Sequence, residues 1–152
     1  VSLLDLDAIV ITHAHPDHWL ELPVVRNALR YGLDAAERGL PVLWTAQTAE
    51  LFDAISSHHP APTFAPRVID ESSTATFGDI DLRFSRTDHP VETLAVRAEH
   101  EGRAIVYSAD TGNEWPLAAL GADLDLPIEL AVVDFQRGEI SDDLALVVVR
   151  VP

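Results

Sequence analysis

The feature that most constrains this chain is a short apolar run, Ala8-Ile9-Val10-Ile11-Thr12, that empties into Thr12-His13-Ala14-His15-Pro16-Asp17-His18. A continuous β-branched apolar run reads as a strand buried on both faces. The helical spacing of Leu22, Val25, Ala28, Leu29 and Leu33 then predicts a helix from Trp19 to Glu37, with Pro23 in its first turns and Gly39 as its stop. A chain that enters and leaves a polar loop through a buried strand and a helix has its His and Asp residues at a strand end. His13 and His15 are two apart, so in extended backbone their imidazoles leave on one face and can share one metal ion. Asp17 and His18, in the turn to the helix, can supply a second position close by. Imidazole with carboxylate suits zinc, and also iron or manganese. The competing reading is a surface loop that happens to be rich in histidine. The density of ligand types at a strand end argues against it.

Composition narrows the chemistry. There is no Cys, so thiolate ligands, disulfides and Cys nucleophiles are excluded, and any metal must be held by His, Asp and Glu. Ten basic residues against 25 acidic give a formal charge of −15, which should repel phosphate backbones and makes generic nucleic-acid binding unfavourable. Bound cations can still hold a phosphate locally. A hydrophobic content of 47% in 152 residues is that of a globular domain, or of a fragment of a larger one. No apolar run is long enough for a membrane span, and no signal peptide is visible, so a cytoplasmic location is expected. Residue 1 is Val and Met is absent, which reads as a processed chain, a truncation or a domain cut from something longer.

Further strands are expected at Pro41–Thr45, Ala75–Phe77, Ile80–Ser85, Thr93–Ala98, Ala104–Ser108, Leu130–Phe135 and Leu144–Val151. Gly78-Asp79 and Glu101-Gly102 are hairpin signals. Thr48–Ser57 reads as a helix with Leu51, Ile55 and Phe52 inward, His58–Pro66 as a loop, and Glu114–Leu120 as a short helix. The mixture is an α/β or α+β layered sandwich.

The first loop resembles the His-x-His-x-Asp-His signature of the metallo-β-lactamase fold superfamily. Asp88-His89-Pro90-Val91-Glu92-Thr93-Leu94-Ala95-Val96-Arg97 resembles the third histidine segment of its ribonuclease Z-like branch, and Tyr107-Ser108-Ala109-Asp110-Thr111-Gly112 resembles that branch's YS-x-DTG segment. The resemblance covers about residues 5 to 126 and implies an αββα sandwich, here incomplete at both ends, with residues 127–152 as a divergent tail holding two strands. It implies that His13, His15 and His89 hold one metal, that Asp17 and His18 hold a second, and that Asp110 bridges them. Asp17 and Asp110 would be the catalytic carboxylates, with Asp17 orienting the nucleophile. A shared water acidified by the two cations would be that nucleophile.

Two departures bear on this expectation. The strands that usually precede the first motif are absent, and so is the late His that completes the second metal position; no His follows His100. The second zinc should therefore be held more weakly than the first. The glutamate-bearing segment expected after Asp110 is replaced by Val132-Val133-Asp134-Phe135, and the tail from Arg137 to Val151, with Asp142-Asp143 before an apolar strand, resembles the closing strand of PP2C-like phosphatases.

The expected function is a metal-dependent hydrolase of a small phosphodiester such as a cyclic nucleotide, acting without membrane or nucleic-acid partners; a homo-oligomer is compatible with this. The alternatives are a truncated metal-binding domain without turnover and a protein similar to tRNA 3′-processing endonucleases. Outside the motifs, His100 is expected to be solvated, His58-His59 could face a substrate, and the acidic residues Asp79, Asp81, Asp123 and Asp125 read as surface.

Overall fold

The computed structural model describes residues 2–56, 59–116, 119–120, 129–131 and 147–149, the last two segments as backbone only. The backbone divides into two units, Val1–Ile69 and Asp70–Pro152.

In the first unit three parallel strands lie in the order β1 (Ile9–Ile11), β2 (Leu40–Trp44), β3 (Phe64–Val68). The central strand β2 buries Leu40, Val42, Leu43 and Trp44, the near-continuous apolar pattern of a parallel strand covered on both faces. Helix α1 (Leu22–Asn27) continues into one wider π turn at Ala28–Gly32 and stops, so the helix is shorter at both ends than its apolar spacing predicts. Its start is moved by a 3-10 turn at Pro16–His18 and by Pro23 at the head of α1. Its end is set by Asp34 at φ 52, which turns the chain out of the helix; Gly39, at φ 63, leads into β2 instead of stopping the helix.

Helix α2 (Ala46–Ile55) begins at Thr45, whose Oγ1 accepts from the Thr48 amide at 3.3 Å. Its inward residues are Thr48 and Phe52. Leu51 and Ile55, expected inside, are exposed, because the face packed against the aromatic cluster of Trp19, Trp44 and Phe64 is that of Thr48 and Phe52. Phe52 has no exposed surface and lies 5.2 Å from the Trp44 ring centroid and 6.5 Å from those of Trp19 and Phe64. The expected loop at His58–Pro66 ends earlier, since Phe64, Ala65 and Pro66 belong to β3. Proline is accepted there because β3 is an edge strand among the described residues, paired with β2 alone. Residues 57–58 lie outside the described residues.

The second unit is an antiparallel sheet in the order β4 (Thr74–Phe77), β5 (Ile80–Arg86), β6 (Leu94–His100), β7 (Arg103–Tyr107), β9 (Val147–Val149), β8 (Glu129–Ala131). Both hairpin signals form turns. Glu101 (φ 47) and Gly102 (φ 75) are both left-handed, as a twist-matched two-residue hairpin requires. Ala95, Val106 and Leu120 form a small core with Trp115 packed on it. Arg97 is buried beside them and donates to Glu99 at 2.8 Å and to the Leu120 carbonyl at 2.8 Å. Glu114 begins no helix among the described residues; Asn113–Trp115 is a bend, and residues 117–118 lie outside them. Described parts of both tail strands are present, at Glu129–Ala131 and Val147–Val149, while Val132 to Phe135, Asp123, Asp125, Asp142 and Asp143 fall outside the described residues.

This topology places the candidate residues. The His13 loop leaves the carboxyl end of β1, where parallel sheets open their crevices. In the second sheet β5, β6 and β7 alternate in direction. The β5–β6 loop with His89 and the segment after β7 with Asp110 therefore emerge at the same end of the sheet.

Candidate metal centre

In the first unit, His13 has no exposed surface, and its ring centroid lies 4.9 Å from that of His15 and 4.1 Å from that of His18. The same-face expectation for His13 and His15 therefore holds. Thr12 Oγ1 shares a hydrogen bond of 3.1 Å with His13 Nδ1, which fixes the ring orientation. Trp19, itself buried, donates from Nε1 to the Ala14 carbonyl at 3.0 Å and so pins the loop between the two histidines to the core. Asp17 is exposed at the outer rim of this loop, 3.5 Å from His18 Nε2.

In the second unit, His89 and Asp110 are both buried, with 7% and 6% of their surface exposed. They share a support. Thr87 Oγ1 donates to the Asp110 carbonyl at 2.8 Å and accepts from the His89 amide at 3.4 Å. Ala109, fully buried, stands at φ 53 immediately before Asp110, a conformation disfavoured for any residue with a Cβ. Asp88 accepts from Gly112 N at 2.6 Å, Glu114 N at 2.7 Å and Thr111 Oγ1 at 2.8 Å. Desolvation works against its charge, but the bonds from Glu114, Thr111 and Gly112 outweigh it and hold the carboxyl below its ordinary range. The Tyr107 phenol is pushed above its ordinary value, first by burial and then by the negative charge of Asp110. Thr87 and Asp88 carry these contacts although no motif assigns them a role. Their only sequence signal is their position beside His89.

The other histidines behave differently. His100 is part-exposed, 3.4 Å from Asp79 and 3.7 Å from Glu101, as expected of a solvated hairpin tip. Asp81 accepts from Thr76 Oγ1 at 2.7 Å on the exposed side of its sheet. His59 is exposed; its ring accepts from the Ala61 amide, and its carbonyl accepts from Arg26. His58 lies outside the described residues.

Buried imidazoles with a carboxylate form a donor set that suits a divalent metal ion and fits poorly with a packed apolar interior. Comparison with known proteins agrees. The family model described as the beta-lactamase superfamily domain matches residues 2–141. The chain belongs to this superfamily. Its relatives include the Probable metallo-hydrolase YhfI of Bacillus subtilis, 29% identical over 127 residues that make up 81% of this chain and 50% of that protein. A ribonuclease of Thermus thermophilus is 31% identical, over 72% of this chain and 27% of its own length. Ribonuclease Z of Mycobacterium bovis is 28% identical, over 87% and 54%. These relatives place the chain on the ribonuclease Z-like branch of the superfamily, as the motifs imply. The crystal structure of the metallo-beta-lactamase fold protein YhfI matches with a TM-score of 0.63 at 24% identity, over 75% of this chain and 44% of that one. The α/β fold class is therefore that of the metallo-β-lactamase fold. The chain spans about half the length of YhfI and ribonuclease Z, and less of the Thermus enzyme. Among the described residues, no helix is long and apolar enough to cross a membrane.

Proposed function

We propose that this chain is the metal-binding part of a hydrolase that cleaves a small phosphodiester, such as a cyclic nucleotide, in the cytoplasm. The observation that carries the reading is the His13, His15 and His18 cluster at the end of β1 in a superfamily member. On this reading His13, His15 and His89 would hold a first zinc, Asp17 and His18 a second, and Asp110 would be a ligand of both. Manganese or iron would suit the same donors. With Nδ1 of His13 bonded to Thr12, Nε2 is its ligating nitrogen. Divalent cations, when bound, supply Lewis acidity at a phosphoryl oxygen and make a nearby water acidic enough to attack near neutral pH. The chain's own residues do the rest. Buried His13, His89 and Asp110 hold their donors rigidly, and exposed Asp17 can take a hydrogen bond from the attacking water and orient it. The second position, with Asp17, His18 and the bridge alone, is the weaker one.

The test is hydrolysis of bis(p-nitrophenyl) phosphate with zinc or manganese titrated in. Activity should rise as the weaker position fills, and Asp110→Ala should bring it to background, because it removes a ligand of both positions. No hydrolysis at any metal concentration would favour a metal-binding domain without turnover. A second reading, cleavage of RNA, is favoured by the relatives named ribonucleases. The charge of −15 opposes it. Comparing a cyclic nucleotide with an RNA bearing a 3′ extension, at low salt, separates the two.

A further inference from the structure

We propose that Asp88 and Thr87 form a clasp that holds the Asp110 segment against the His89 loop, and that Asp88 is thereby a positioning residue for the metal ligands. This rests on the metal reading above. Every atom of the clasp lies in the second unit.

The geometry is that of a built restraint. Asp88 precedes His89 in the chain, and its two carboxylate oxygens take three donors from the stretch that follows Asp110: Gly112 N, Glu114 N and Thr111 Oγ1, at 2.6 to 2.8 Å. These bonds join residues 23 to 26 apart in sequence. Asp70 offers a comparison within the same unit. Its carboxylate accepts from Ser72 N and from the Ser72 and Ser73 hydroxyls, but it closes only its own turn.

Contact at Gly112 is close enough that a side chain there would push the Asp88 carboxylate out of its bonds. A Cβ on that residue would meet Asp88 Oδ2 at 2.6 Å. Thr87 adds the second half, its hydroxyl lying between the Asp110 carbonyl and the His89 amide, while its own amide donates to the Thr93 carbonyl at 3.0 Å and closes the loop. Immediately before these anchors sits Ala109 at φ 53, a strained conformation that persists only where its surroundings over-determine it. Asp110 is thus held at its own carbonyl by Thr87 and just beyond it by Asp88, which grips the next residues. A carboxylate suits this task because it presents acceptors only, whereas an amide at the same place would turn a donor toward a donor.

The experiment combines zinc titration with amide hydrogen exchange of the metal-free chain. In the wild type the Gly112 and Glu114 amides should be protected. Asp88→Ala should expose both and weaken zinc binding by roughly 10- to 100-fold, with the unfolding transition retained. Asp88→Asn can keep the Oδ1 contacts to Thr111 and Gly112 but not the bond from Glu114, so protection should fail at Glu114 alone and zinc binding should fall less. Asp70→Ala, which breaks an equally bonded turn, should leave zinc binding unchanged. If Asp88→Ala does not fold, Thr111→Val, which removes one of the three donors, decides the matter: a several-fold loss of zinc affinity supports the clasp, and none overturns it. Unprotected Gly112 and Glu114 amides in the wild type would overturn the clasp. Lost protection in Asp88→Ala with unchanged zinc affinity would overturn the positioning role. A wild type that takes up no zinc would overturn the metal reading and the positioning role together, whatever the amides do.

Discussion

Ala109 and Ala95 make a controlled pair for measuring the strain beside Asp110. Both are alanines with no exposed surface, both belong to the second unit, and they differ in backbone: Ala95 is in β6, whereas Ala109 stands at φ 53. Replacing either by glycine deletes one buried methyl, worth about 0.8 kcal/mol. It also frees the unfolded chain, at a further cost of about 0.4–1 kcal/mol. Ala95→Gly should therefore destabilise by about 1.5 kcal/mol. At Ala109 the same losses are offset by relief of the left-handed Cβ clash, worth about 1–2 kcal/mol. Ala109→Gly should come out near neutral. In urea, with a slope of about 2 kcal/mol/M, the Ala95 variant should lose about 0.7 M in its midpoint and the Ala109 variant less than about 0.3 M, at unchanged slope. Equal losses at the two sites would refute the claim that strain is stored beside Asp110.

Phe52→Ala should destabilise by about 3–5 kcal/mol, because a fully buried ring among Trp19, Trp44 and Phe64 leaves a cavity, while Leu51→Ala, on the exposed side of the same helix, should stay within about 0.5 kcal/mol; thermal unfolding of both variants checks this. The Asp70 carboxyl is held below its ordinary value of 3.8 by the hydroxyls of Ser72 and Ser73 and the Ser72 amide. A depressed folded value adds stability above the unfolded value and loses it as pH falls through the folded one, so Asp70→Asn should flatten the acid limb of the stability curve below about pH 4 and leave its neutral plateau shape unchanged. Dialysis of the zinc-loaded chain should remove the second ion before the first, and elemental analysis finding two equally retained ions would contradict the unequal sites proposed. His100→Ala should leave hydrolysis of bis(p-nitrophenyl) phosphate unchanged within about twofold, since that side chain bonds with Asp79 and Glu101 at an exposed turn.

What the amino-acid sequence determined by itself was much of what depends on short-range pattern. The β-branched run before His13 forms β1, and the two-residue spacing of His13 and His15 puts their rings on one side. Glu101-Gly102 makes a tight turn because one of its residues carries no Cβ. The motifs around His89 and Asp110 were legible because they are local segments shared with a superfamily. Tertiary structure alone decided the rest. That Phe52 enters the core while Leu51 and Ile55 do not depends on which face of α2 meets Trp19, Trp44 and Phe64, which a hydrophobic pattern does not register. Pro66 became a strand residue because β3, among the described residues, has a neighbour on one side only. Asp88 and Thr87 acquired their role from bonds to residues more than twenty positions away, which only the antiparallel return of β6 and β7 brings to the same end of the sheet. Periodicity reports the direction of a side chain from its own backbone; which partner waits there is set by how distant segments pack.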